Sequence, residues 1–135
     1  MTDVLTPEQR KYNMARIRGK NTKPELLVRS YLHGLGHRFR IHYPDLPGKP
    51  DIVFTRKKKI IEVNGCFWHG HDCKQGFRSP ATNTEFWNNK IKQNMKRDTE
   101  KQNSWLLAGY DVLILWECQV KGGQYDTLIE QFLGP

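Results

Sequence analysis

The chain has 135 residues, enough for one domain with a real core of its own. Lys and Arg number 22 against 14 Asp and Glu, and the formal charge of +8 points to a polyanionic partner and away from an acidic one. No stretch approaches the ~20 apolar residues needed to cross a bilayer, and the start, MTDVLTPEQRK, lacks the apolar segment of a signal peptide, so no membrane partner and a cytoplasmic location are expected.

Thr6-Pro7-Glu8-Gln9 combines an N-cap, a first-turn proline and a capping-box glutamine, which predicts a short basic helix to about Gly19 carrying Arg10, Lys11, Arg16 and Arg18. Thr22-Lys23-Pro24-Glu25 repeats the signal and opens a second helix, with Leu26, Leu27, Leu32 and Leu35 as its apolar residues and an end at Gly34 or Gly36. Phe39, Ile41 and Tyr43 alternate with polar residues as a half-buried strand does, and PDLPGKP then supplies a turn before the strand DIVF. KIIEVN follows as a third strand. Residues 65–84 mix Gly, Cys, His and Pro without a period, so they form a loop that needs a metal rather than a core to order it. Trp87, Ile91, Met95 and Asp98 recur at helical spacing toward Trp105 and Leu106, which predicts a long helix stopped near Gly109. DVLILW reads as a buried strand parallel to its predecessor across the helix, and a short helix over about 125–133 closes the chain. The expected fold is a single mixed α/β domain over 1–135, its sheet mixed because the earlier connections are short turns.

Two groups of residues carry chemistry. Asp51 opens one strand and Glu62 lies within the next, so adjacent strands bring both carboxylates to one edge of the sheet. Phosphodiester hydrolysis uses a hard cation such as Mg²⁺, held by one or two carboxylates with phosphate and water. Glu62 and Asn64 face the same side of their strand. The pattern resembles that of the PD-(D/E)xK nucleases, with Asn64 in the place of the lysine.

The second group is Gly65-Cys66-Phe67-Trp68-His69-Gly70-His71-Asp72-Cys73. With the distant Cys118 it offers three thiolates and one imidazole, the donor set of a closed structural Zn²⁺ site. By spacing alone either His69 or His71 is the nitrogen ligand, and the other is free for proton transfer. Cys118 follows the DVLILW strand, which could carry it back to the first sheet edge. Trp68, between Cys66 and His69, is expected to lack a buried packing partner.

The stretches LPGKPDIVF, VNGCFWHGHDC, PATNTEFWNNKI, NMKRD and VLILWEC resemble the very-short-patch-repair (Vsr) endonucleases, in order and nearly in spacing, over about residues 8–120. The resemblance implies a restriction-endonuclease-like mixed sheet flanked by helices, with a structural zinc and a catalytic Mg²⁺. It implies that Asp51 binds Mg²⁺ with help from the Val63 carbonyl, and that Cys66, His71, Cys73 and Cys118 bind Zn²⁺. His69 matches the residue assigned to proton transfer, and Glu25 and Asp98 match acids that support the centre. Phe67, Trp68 and Trp87 match an aromatic wedge entering the DNA stack from the major groove, and Met14 matches a residue inserted from the minor-groove side. The basic helix of residues 1–20 is expected to contact DNA.

The chain departs from the family at Asn64, where relatives often carry histidine, and at Glu62, a carboxylate that not all share. Asn64 orients a water but cannot take its proton, so Glu62 is expected to compensate as a direct metal ligand. The implied activity is nicking of double-stranded DNA on the 5′ side of the thymine in a T:G mismatch, by a monomer at the nucleoid. Its functional partners are a DNA cytosine methyltransferase and a repair polymerase. The alternatives are a restriction-like or structure-selective nuclease without mismatch preference, and a zinc-stabilised DNA-binding module.

Overall fold

The computed structural model describes residues 22–73 and 82–134. The expected N-terminal helix, Met14 within it, and the segment 74–81 lie outside these residues. The elements are α1 (Lys23–Gly34), β1 (Arg40–Ile41), β2 (Ile52–Phe54), β3 (Lys59–Asn64), α2 (Thr84–Leu107), β4 (Asp111–Trp116), α3 (Glu117–Lys121) and α4 (Tyr125–Leu133). The four strands form one sheet in the order β1-β2-β3-β4, antiparallel across the first two pairs and parallel between β3 and β4. The parallel pair follows from the long α2 crossover between its strands, where a tight turn cannot serve. Among the described residues no helix is long and apolar enough to cross a membrane.

Strand alternation divides the core into two layers. Ile52 and Phe54 of β2, Ile61 of β3 and Leu115 of β4 pack with Val28 and Leu32 of α1, Val120 of α3 and Ile129 and Leu133 of α4. On the other face Val53 and Ile60 pack against Trp105 of α2, with Tyr43, Leu46, Tyr110 and Val112 around them. Trp105 is fully buried, and its indole N–H donates to the Pro47 carbonyl at 2.7 Å, tying the turn before β2 to α2.

Several expectations change. In α1 the buried residues are Glu25, Val28 and Leu32, whereas Leu26, Leu27 and Leu35 are exposed, because the sheet lies along the 25–28–32 stripe and not over the leucines beside it. The strand expected over Phe39–Tyr43 pairs only at Arg40 and Ile41, both exposed, and His42 then leaves extended geometry with φ 47°. Met95 and Leu106 of α2 are exposed, since a helix packed on a sheet buries one narrow stripe. Of DVLILW only Leu115 is fully shielded, β4 being an edge strand of the sheet.

Candidate active site and cysteine–histidine cluster

Register places the acidic pair. Ile52 pairs with Ile61 and Val53 with Ile60, so the antiparallel ladder continued by one residue sets Asp51 against Glu62. Asp51 shares a face with Val53, and Glu62 and Asn64 share one with Ile60, which is the face that α2 covers. The two carboxylates are locked by backbone donors: the Asp51 N–H donates to Glu62 Oε1 at 2.6 Å, and the Val63 N–H donates to Asp51 Oδ2 at 2.9 Å. Burial raises the Asp51 carboxyl above its usual range, against the Val63 N–H and the charges of Lys101, Arg29 and His69. Burial also pushes Glu62 up to about 8, with the neighbouring Asp51 charge adding to it. Two carboxylates this close and this dry resist ionising together unless a cation lies between them. Asn64 is buried just beyond them.

Across the cleft, His69 Nδ1 lies 2.5 Å from Asp98 Oδ2 of α2. The loop bearing His69 can approach α2 because residue 70 is glycine: at φ 66° a Cβ there would come within 2.7 Å of Met95 Sδ and 3.0 Å of Ile91 Cγ2. Asn94 of α2 fixes the same loop by donating from Nδ2 to the Trp68 carbonyl at 2.9 Å.

Glu25 is buried at the near wall, where Thr22 Oγ1 accepts from the Glu25 N–H as an N-cap. Its carboxylate does not serve the cap. It takes the Arg29 guanidinium and lies 3.0 Å from His42 Nε2. Glu25, His42 and Asp51 present ligand atoms within 4.8 Å of one another. Arg29 Nη2 is also 3.3 Å from His42 Nε2, so a guanidinium already provides the positive charge within that trio. His42 and Arg29 carry no motif, and sequence reasoning missed both.

The cleft enclosed by these groups has a volume of 910 Å³ and includes Asp51, Glu62, His69 and Asp98, with Lys49, Lys90 and Arg97 among its basic residues. Acids that grip a cation, surrounded by bases that meet phosphates, suit a backbone phosphodiester.

The cysteine cluster is a consequence of the parallel register. Asn64 pairs with Trp116, so Cys66 and Cys118, each two residues beyond its strand position, emerge side by side. The Cys118 N–H donates to Cys66 Sγ at 3.3 Å, and Cys118 Sγ lies 3.6 Å from His71 Nδ1. Cys66, His71, Cys73 and Cys118 offer four ligand atoms within 4.8 Å of one another, and no two of the cysteines are joined as a disulfide. His71 is thus the imidazole of this cluster, and His69 stands apart with Asp98. The His71 ring stacks on Trp116 at 4.0 Å and an interplanar angle of 9°. Burial pushes the Cys66 thiol up to about 12, a penalty that a bound cation reverses by holding the thiolate. Three sulfurs and one nitrogen with no position left open fit a structural zinc ion.

Phe67, Trp68 and Trp87 form one aromatic group: ring centroids are 5.0 Å apart for Phe67–Trp68 and 5.8 Å for Trp68–Trp87 and Phe67–Trp87. Trp68 therefore does have packing partners, supplied by its chain neighbour and by the first turn of α2, and all three rings are half-buried. Phe86, exposed beside Trp87 at 5.4 Å, extends the group.

A mixed sheet that presents paired carboxylates to a basic-rimmed cleft is an arrangement compatible with a nuclease, and the relatives of the chain give that class. Residues 2–75 match the family described as DNA mismatch endonuclease Vsr. The chain is 43% identical to the type II nicking enzyme V.XorIIP of Xanthomonas oryzae pv. oryzae, over 100% of this chain and 99% of that protein. It is 41% identical to the type II nicking enzyme V.NmeAIP of Neisseria meningitidis, over 90% of this chain and 86% of the relative. The DNA mismatch endonuclease Vsr of Escherichia coli is 41% identical, over 90% of this chain and 78% of its own length. The chain belongs to the Vsr family of DNA endonucleases.

Proposed function

We propose that this endonuclease nicks one strand of double-stranded DNA on the 5′ side of the thymine in a T:G mismatch and so starts very short patch repair. The observation that carries the reading is the pairing of Asp51 and Glu62 across the two central strands, opposite the His69–Asp98 couple in the same cleft. The mixed sheet with its acidic pair is then a restriction-endonuclease-like arrangement. Asp51 and Glu62, with the Val63 carbonyl, would hold Mg²⁺, which would supply polarisation of the scissile phosphate and activation of a water.

The remaining steps belong to the chain's own residues. His69 has Nδ1 committed to Asp98, which fixes the ring and leaves Nε2 for a proton at the phosphate. Asn64 orients the attacking water but takes no proton. Water adds to phosphorus and the P–O3′ bond breaks, giving a 3′-hydroxyl for a repair polymerase and a 5′-phosphate. Glu25 positions Asp51's side of the cleft through Arg29 and His42.

Cys66, His71, Cys73 and Cys118 would hold Zn²⁺ and so fasten the loop that presents Phe67, Trp68 and His69. Phe67, Trp68 and Trp87 act as the wedge, and unstacking costs least where a mismatch has already weakened the stack. Met14 and the basic residues 1–20 engage the opposite groove and the backbone. One active cleft makes one nick, so a monomer suffices. A DNA cytosine methyltransferase, whose product deaminates to thymine, is the functional partner at the nucleoid.

The test is single-turnover nicking of end-labelled duplexes carrying T:G, each other mismatch, or the matched pair, in several flanking contexts. Faster cutting at T:G, only on the thymine strand, is expected. Equal cutting of matched duplex, or none of any duplex in Mg²⁺, overturns the proposal.

A further inference from the structure

Lys101 of α2 stands in the wall of the same cleft. Its Nζ is 4.0 Å from Asp98 Oδ1, while the other oxygen of Asp98 holds His69. A separation of 4.0 Å is too long for a hydrogen bond, and the ammonium's other described neighbour is the Trp105 ring, 5.8 Å from Nζ to its centroid. Among the described residues the ammonium therefore has only this long ion pair with Asp98 and no hydrogen bond to hold it.

Its approach is built into the backbone. The Lys101 stem crosses the turn leading to Asp51 at Gly48, where an added Cβ would come within 2.2 Å of Lys101 Cδ and 2.9 Å of Cγ. Gly48 adopts φ 73°, so both the turn and the stem's passage over it ask for glycine. The ammonium's field acts on both Asp51 and Glu62, whereas that of Arg29 acts on Asp51.

A phosphodiester entering here brings negative charge among Glu25, Asp51, Glu62 and Asp98, and the transition state concentrates more on its non-bridging oxygens. A cation fixed in place before the reaction stabilises that charge most effectively. Asn64 shares the strand face of Glu62 and is neutral, so it supplies none.

We propose that Lys101 is a catalytic residue of the nicking reaction, its ammonium binding a non-bridging oxygen of the scissile phosphate and supplying the fixed positive charge that Asn64 lacks. The proposal rests on the nuclease reading above.

Lys101→Met keeps an unbranched stem over Gly48 and Trp105 and removes only the charge. With the full zinc-loaded chain and a T:G duplex, affinity is measured against salt without Mg²⁺, and single-turnover nicking is measured with saturating enzyme and Mg²⁺. Loss of one phosphate contact makes the slope of log K against log salt shallower by about 0.9. Nicking falls about 10²-fold or more, the scale for removing one preorganised electrostatic partner. Lys101→Arg keeps the slope and recovers part of the rate, and the melting temperature of Lys101→Met matches wild type.

An unchanged salt slope overturns the proposal: with an unchanged rate the ammonium is a bystander, and with a reduced rate it acts through Asp98 without touching phosphate. A lowered melting temperature in both variants makes Lys101 a packing residue and also overturns it. Wild-type protein that cuts no T:G duplex fails the nuclease reading itself, a result distinct from these.

Discussion

Glu62→Gln should make the protein more stable and the enzyme worse. Glu62 is 7% exposed, accepts the Asp51 N–H, and faces the Asp51 carboxylate. An unfolded Glu loses its proton near 4.5, whereas burial and Asp51 hold the folded one to about 8. Between these values the folded state binds more protons than the unfolded state, so stability falls as pH rises through the window and is lowest above it. At 1.36 kcal/mol per pH unit the cost is about 1 kcal/mol at pH 5, about 3 at pH 7 and about 5 above pH 8. Glutamine can still accept from the Asp51 N–H and never ionises. Without Mg²⁺, urea unfolding should therefore show the variant more stable than wild type at pH 8, with the gap closing toward pH 5. Saturating Mg²⁺ should narrow the gap at pH 8, while the variant needs more Mg²⁺ for half-maximal nicking and has a lower saturated rate. A variant no more stable than wild type at pH 8, or a gap independent of pH, would refute the reasoning. Little effect of Glu62→Gln on the Mg²⁺ titration, with a large loss for Asn64→Ala, would move the chemistry to position 64.

Purified protein should carry one equivalent of zinc, and Cys118→Ser, which removes one of four clustered ligand atoms, should lose it together with at least about 3 kcal/mol of stability, read by metal analysis and urea unfolding. Unchanged metal content would contradict the closed site. Trp105→Phe leaves the Pro47 carbonyl without its indole donor and opens space in a fully buried position, costing about 2–4 kcal/mol; nicking should slow as well, because Pro47 leads into Asp51. Trp68→Ala should cost about 1–2 kcal/mol in unfolding experiments, as suits a half-buried ring with two aromatic partners, and should reduce the preference for mismatched over matched duplex. Retained preference would assign Trp68 to packing alone.

The legibility of this fold in its sequence follows from the length and sharpness of each signal. KIIEVN and the segment 125–133 match β3 and α4 to the residue, because an apolar strand between charged turns and a short amphipathic helix leave few alternatives. The alternation over Phe39–Tyr43 overstates β1, since Phe39 and Tyr43 pack into opposite core layers while only two residues pair. The short helix α3, with five residues, is below the length at which periodicity speaks, yet it presents Cys118. Cys118 belongs to no finger spacing; what brings it to Cys66 is the pairing of Asn64 with Trp116, a register that local sequence does not encode. What separates His69 from His71 is likewise tertiary: one ring meets the Asp98 carboxylate and the other the Cys118 sulfur. Lys101 and His42 carry no motif because what gives them a place in the cleft, Gly48 under the Lys101 stem and Glu25 beside His42, is distant in the chain. The one hint was that Lys101 follows Asp98 by three positions, on the same helical face.

Asp51→Ala tests most directly whether the Asp51 carboxylate cuts DNA that the rest of the protein positions. Binding to a T:G duplex and its single-turnover nicking in Mg²⁺ are measured for wild type and variant at equal salt. Phosphate and wedge contacts do not pass through Asp51, so affinity should change little while nicking falls about 10³-fold or more. Substantial Mg²⁺-dependent nicking by the variant would contradict the account.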